Sequence, residues 1–124
     1  MSEATFDFSS FVPGGVPLKR FEAGETVFFQ DDDGGYMYIV RSGKVNIIVS
    51  GVVLESIGPG GMFGEIAVID GSPRSATAVA KEATELELID GQAFALIVER
   101  SPSFALKIMR MLAARIRRMN DNFS

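Results

Sequence analysis

Between Val16 and Ile89 the hydrophobic positions come in short runs separated by polar, glycine-bearing breaks. The runs are Val16–Phe21, Thr26–Gln30, Tyr36–Arg41, Val45–Val49, Val52–Ile57, Ala76–Ala80 and Thr84–Ile89. Their length and their share of Val, Ile, Tyr and Phe predict β-strands. The breaks EAGE, DDDGG and SGK read as turns, and Ser50–Gly51 reads as a two-residue hairpin turn. Strands at such close spacing, joined by glycine turns, predict a sandwich, roll or barrel.

The period changes after Asp90. GQAFALIVER reads as a short helix ended by Ser101–Pro102, and the chain from there to Asn120 reads as a longer one. Ser101 is placed to cap it, and Pro102 suits its first position. Phe104, Ile108, Met111, Leu112 and Met119 mark one apolar face; Leu106, Met109, Ala113 and Ile116 mark a second. A surface helix rarely needs two stripes. Either this helix is wedged deep in its own core, or one stripe meets a ligand or a second copy of the chain. Residues 1–15, ending in VPGG, form a lead-in with a helical turn expected near Ser2–Phe11. The expected organisation is one domain over 16–124, with its β-roll in 16–90 and C-terminal helices in 91–120.

Composition narrows the chemistry. The chain has 124 residues, 47% of them hydrophobic, enough for one core. It has no cysteine and no histidine. That removes disulfides, the commonest zinc ligand, the usual general base and the Ser-His and Cys-His nucleophile pairs. The composition leaves carboxylate-only calcium or magnesium sites open; the expectation is no metal site and no enzyme activity. The net charge of −4 argues against bulk attraction to nucleic acid. Lys107, Arg110, Arg115, Arg117 and Arg118 nevertheless cluster near the C-terminus, mixed with apolar residues. No apolar run approaches the roughly 20 residues that span a bilayer. The N-terminus MSEATFDF does not resemble a secretory signal, so a cytoplasmic protein is expected.

The stretch GMFGEIAVIDGSPRSATAVA, residues 61–80, concentrates the candidate chemistry. Gly64 permits an unusual turn and close backbone approach. Glu65–Ile69 suits one or two helical turns ended at Asp70–Gly71. The first amides of such a turn lack intrahelical partners and attract anions. Arg74, set by Pro73, offers a planar fork suited to phosphate. Glu65 repels phosphate and instead accepts from sugar hydroxyls. Two arrangements fit this spacing: a site for a small nucleotide, or an ion pair between Glu65 and Arg74 across the turn.

FGEIAVIDGSPRSAT closely resembles the phosphate-binding cassette of cyclic nucleotide-binding domains, the family that includes catabolite activators, kinase regulatory subunits and gated channels. GETVFFQDDDGGYMYIVRSGKVNI looks like that family's early strands, and the likeness runs from Val16 to Asn120. It implies a mainly β fold, an eight-stranded antiparallel β-roll of jelly-roll type with a short cassette helix and C-terminal helices. It also implies roles. Phe63 opens the motif; Gly64, Ile66 and Ala67 would surround the phosphate with backbone amides. Glu65 would accept from the ribose 2′-hydroxyl, Arg74 would pair with the cyclic phosphate, Ser75 would add a hydroxyl, and Ala76 would pack on the ligand. Leu54 and Ile57 match positions lining the base pocket. Arg115 matches an arginine that reaches back to the cassette glutamate. Met119 and Asn120 stand where catabolite activators offer polar contacts to the base.

The family's transcription factors continue into a winged helix-turn-helix, whereas this sequence runs to NDNFS. The expectation is a stand-alone domain: a non-enzymatic receptor for cyclic AMP, with cyclic GMP as the alternative through Ser75, and no cofactor. Its partners would be the nucleotide, an effector protein and, through the C-terminal helix, a second copy. No nucleic acid partner and no membrane span are expected. The competing expectation is a ligand-free interaction module on the same fold. A cupin-like metalloenzyme would need histidines that this chain lacks.

Overall fold

The computed structural model describes residues 11–123. The helical turn expected near Ser2–Phe11 falls outside them, save for Phe11. Eight strands and three helices follow in the order β1 (Leu18–Phe21), β2 (Thr26–Phe28), β3 (Tyr36–Ser42), β4 (Val45–Val49), β5 (Val52–Ile57), β6 (Met62–Phe63), α1 (Glu65–Asp70), β7 (Thr77–Ala80), β8 (Thr84–Asp90), α2 (Gly91–Arg100) and α3 (Pro102–Phe123). The strands form two antiparallel four-stranded sheets, β1-β8-β3-β6 and β2-β7-β4-β5. This is the mainly β roll with flanking helices that the sequence implied.

The alternation of side chains along β3 explains how two cores share one sheet. Tyr38 and Val40 face the opposite sheet, where they join Phe21, Val45, Ile57, Phe63, Ala78, Ala80 and Leu86. Met37 and Ile39 point the other way, onto Met62, Ile89, Ile97, Phe104 and Ile108. Because both faces of β3 are covered, its centre is continuously buried rather than alternating. The β4–β5 hairpin turns on Ser50 and Gly51, both at positive φ (51° and 76°), as the two-residue reading expected.

Strand β6 was not evident in the sequence. It is two residues long and pairs Phe63 with Tyr38 and Met62 with Ile39. Such a short strand has no period of its own; partners on β3 create it. Asp90 caps α2 by accepting from the Ala93 amide at 2.8 Å. Ser101 joins the two helices: its amide donates to Ile97 O and its carbonyl accepts from Phe104 N.

The two apolar stripes of α3 have different fates. Phe104 and Ile108 are buried against β3 and β8, with Met111 and Leu112 half-buried beside them. Leu106, Met109 and Ile116 stay exposed, and so does Met119 of the first stripe. The helix is therefore not wedged in its own core; it docks by its first turns and then runs on past the sheet. Phe104→Ala is expected to destabilise the fold by about 3–5 kcal/mol. Leu106→Ala on the free face should stay within about 0.5 kcal/mol. Urea denaturation midpoints compare the two.

Candidate functional site

A cleft of about 640 Å³ opens between the β4–β5 hairpin, α1 with the loop after it, and the second half of α3. Its floor is aromatic. Phe63 stacks on Tyr38 at 5.2 Å between ring centres, and Phe28 tilts against both.

The sharp path into the cleft begins at Gly64, which is left-handed at φ 78° and precedes the first turn of α1. A Cβ there would lie 2.8 Å from Arg74 Nη1 and 3.3 Å from Tyr36 O. Gly71, also left-handed, ends α1, its amide donating to Ala67 O. The chain then turns through Ser72, whose amide donates to Asp70 Oδ1. Hydrogen bonding from Ser72, by its side chain first and its amide second, holds the Asp70 carboxyl below its ordinary pKa. Pro73 delivers Arg74 into the cleft wall. The Arg74 backbone is clamped on both sides: its amide donates to Asp32 O and its carbonyl accepts from Asp31 N, each at 2.8 Å.

The Arg74 side chain is 5% exposed. It donates from Nη1 to Gly64 O at 3.0 Å and from Nη2 to Tyr36 O at 2.7 Å. Its Cζ sits 4.1 Å from the centre of the Phe28 ring, a cation–π contact. Nε is buried with no hydrogen-bond partner. No ion pair among the described residues includes Arg74. Burial pushes its pKa down, opposed by Tyr38 and by the more distant charges of Asp32 and Glu65. The Tyr38 phenol is pushed up, first by burial and against the effect of Arg74. The alternative in which Glu65 and Arg74 pair across the turn is thus not the observed geometry.

Glu65 is 4% exposed, and its two oxygens differ. Oε2 accepts from Arg115 Nη1 at 2.8 Å, while Oε1 is buried with no partner. Arg115 also donates from Nη2 to Met62 O at 2.9 Å and meets Glu55 Oε1 through Nε at 3.3 Å. Arg118 approaches the same Glu55 oxygen at 3.6 Å.

The structure brings together most of the residues named from the sequence. Phe63, Gly64, Glu65, Ile66, Ala67, Arg74, Ser75, Ala76, Leu54 and Arg115 all line the cleft. Ile57 does not. It is 5% exposed and packs between the sheets, because β5 turns it to the opposite face from Glu55's neighbour Leu54. Met119 reaches the cleft; Asn120 is not among its lining residues. Sequence reasoning missed Phe28 beneath Arg74, and it missed Glu55 and Arg118 at the cleft's edge. A charge inside the apolar run VVLESI was the available signal for Glu55. Among the described residues, no group of acidic side chains is arranged to hold a metal ion, and no helix is long and apolar enough to cross a membrane.

Comparison with known proteins matches the chain to a family. The family model described as "Cyclic nucleotide-binding domain" matches residues 18–101. The cyclic AMP receptor protein of Thermus thermophilus is 35% identical over 104 residues, covering 80% of this chain and 48% of that protein. The cAMP-dependent protein kinase regulatory subunit of Yarrowia lipolytica is 42% identical over 80 residues, covering 64% of this chain and 21% of that one. The crystal structure of the Thermus thermophilus catabolite activator protein superimposes with a TM-score of 0.78 at 31% identity, covering 91% of this chain and 59% of that one. The chain spans about half or less of the length of these curated relatives.

Gly64→Ala should disturb the site twice, through a left-handed backbone and through contact with the Arg74 guanidinium. The backbone term alone is about 1–2 kcal/mol. Guanidinium chloride unfolding is expected to show a loss of at least that size, whereas Gly51→Ala, with open space around its Cβ, should show the backbone term only.

Proposed function

The chain belongs to the cyclic nucleotide-binding domain family, and on that premise we propose that it is a non-enzymatic receptor for a cyclic nucleotide acting in the cytoplasm, with cyclic AMP as its first ligand. The observation that carries this reading is the buried Arg74 guanidinium, which faces the cleft with Nε unpartnered and no carboxylate in contact. A buried cation of this kind gains from an anion. At 4 Å and an effective dielectric of about 20, one such pair is worth about 4 kcal/mol before desolvation.

The remaining residues extend the recognition from phosphate to nucleoside. Glu65 is held by Arg115 through one oxygen, leaving Oε1 to accept from a sugar hydroxyl. The amides of Ile66 and Ala67 open α1 beside Arg74, and Ser75 supplies a hydroxyl on the exposed side. Leu54, Ile116 and Met119 offer apolar surface for a base. Cyclic GMP is the alternative ligand, with Ser75 placed to meet a second polar group on the base. Relatives whose names specify cyclic AMP support the first choice.

Binding would reorganise the cassette turn around the phosphate. Ile66 and Ile69, 37% and 46% exposed, would then repack. That bias reaches α3 through Glu65 and Arg115, so the signal leaves as a change in helix position read by an effector or a second copy. The exposed Leu106 and Met109, which do not line the cleft, are the surface available for that reading.

Calorimetric titration of ligand-stripped protein with cyclic AMP and cyclic GMP tests the reading. Binding of one of them is expected; silence with both at millimolar concentration overturns it. Arg74→Ala should weaken binding by about 2–5 kcal/mol while the far-ultraviolet circular dichroism stays that of the folded protein. In the wild type, the 2′-deoxy analogue should bind more weakly than its parent, and Glu65→Gln should narrow that gap.

A further inference from the structure

Beyond Ile108 the hold of α3 on the rest of the chain changes in kind. From Ala113 to Asp121 no side chain of the helix is buried. Ile116 and Met119 line the cleft mouth but remain 58% and 59% exposed. Hydrophobic burial cannot hold this segment in place, so polar contacts carry more of the task.

Two of those contacts meet on one carboxylate of the β4–β5 hairpin. Glu55 takes Arg115 Nε at 3.3 Å and Arg118 Nη2 at 3.6 Å, both on Oε1. The two arginines are three residues apart and so lie on one face of α3. Arg115 is in turn spread over three elements: Glu55 on β5, Glu65 on α1 and Met62 O on β6. The Arg115 and Glu55 side chains are 21% and 28% exposed, so solvent screens this contact less than it screens the Arg118 end, which is 56% exposed. Removing Glu55 would leave Arg115 anchored to Glu65 and Met62 O, and Arg118 without its hairpin partner.

We propose that Glu55 is a positioning residue that moors the C-terminal half of α3 across the cleft, orienting Arg115 for Glu65 and thereby setting how slowly a bound nucleotide escapes. This rests on the receptor reading for its second half only. The mooring itself is a property of the ligand-free chain. Glu55 touches neither the phosphate-facing Arg74 nor the unpartnered oxygen of Glu65. Its effect therefore falls on release and on the helix, rather than on recognition of the phosphate.

Two measurements on the full chain separate the parts. The first is amide hydrogen exchange without nucleotide. Glu55→Gln keeps the shape of the side chain and removes its charge. It should speed exchange over residues 113–121 and leave β3, β8 and α2 unchanged. The second is stopped-flow displacement of a fluorescent cyclic AMP analogue by excess cyclic AMP. Glu55→Gln should raise the dissociation rate about tenfold with little change in association rate, and Arg118→Met should do so less. Raising salt should speed release in the wild type and have a smaller effect in Glu55→Gln. A double-mutant cycle between positions 55 and 118 should show coupling in the dissociation rate. Unchanged exchange over 113–121 in both variants overturns the mooring, whatever the nucleotide data. Altered exchange with unchanged dissociation overturns the claim about escape. Failure of the wild type to bind any nucleotide counts against the receptor reading and leaves the exchange result to decide the mooring. Arg118→Met, on the exposed side of α3, serves both assays should Glu55→Gln unfold.

Discussion

A guanidinium 5% exposed, without a carboxylate in contact, is the constraint around which the cleft is arranged. Arginine stays charged at any ordinary pH, even when burial lowers its pKa. The fold must therefore hold a cation where water cannot solvate it fully. Carbonyls of Gly64 and Tyr36 and the face of Phe28 answer part of that demand. They fix the plane of the guanidinium. The loop before β3 is drawn into the same arrangement. A Cβ on Gly34 would come within 2.5 Å of Ala67 Cβ and 2.8 Å of Arg74 Nε. That loop can clamp the Arg74 backbone only because it presents glycine there.

The carboxylate opposite is treated differently. Glu65 is equally buried, yet its charge is matched through one oxygen by Arg115. The cleft thus has an unmatched cation from the loop before β7 and a matched anion from α1, whose partner comes from a helix far along the sequence. Because that partner lies on α3, one short, direct contact joins α1 to the helix.

What could be read from the sequence follows from how locally each feature is determined. Strands β4 and β5 match the expected runs residue for residue, since hairpin chemistry at Ser50–Gly51 is local. The edges of β1 and β2 were read too long. Pro17 cannot donate to a ladder, and Gln30 turns its amide to the Thr77 hydroxyl instead. Strand β6 exists only through its pairing with β3, so no window of sequence could reveal it. At the site, the contiguous motif from Phe63 to Ala76 identified its own members, and the resemblance supplied Arg115. Ile57 and Leu54 looked alike as apolar strand residues, but the pleat and the facing sheet decided between them. Glu55 was passed over because its partners lie sixty residues on, at Arg115 and Arg118.

The chain as a whole is at −4, which disfavours anions at a distance. Within the cleft, Arg115 is set against Glu65 and Arg118 against Glu55. Among the described lining residues this pairing leaves Arg74 as the cation without an acidic contact. A site with one unmatched positive charge suits a monoanion. A cyclic phosphodiester carries a single charge. An open 5′-monophosphate near neutral pH carries up to two, because its second ionisation falls near pH 6. A second charge would find no further unmatched cation among the described lining residues. On the receptor reading proposed above, an arrangement suited to a cyclic phosphate would select against its hydrolysed product.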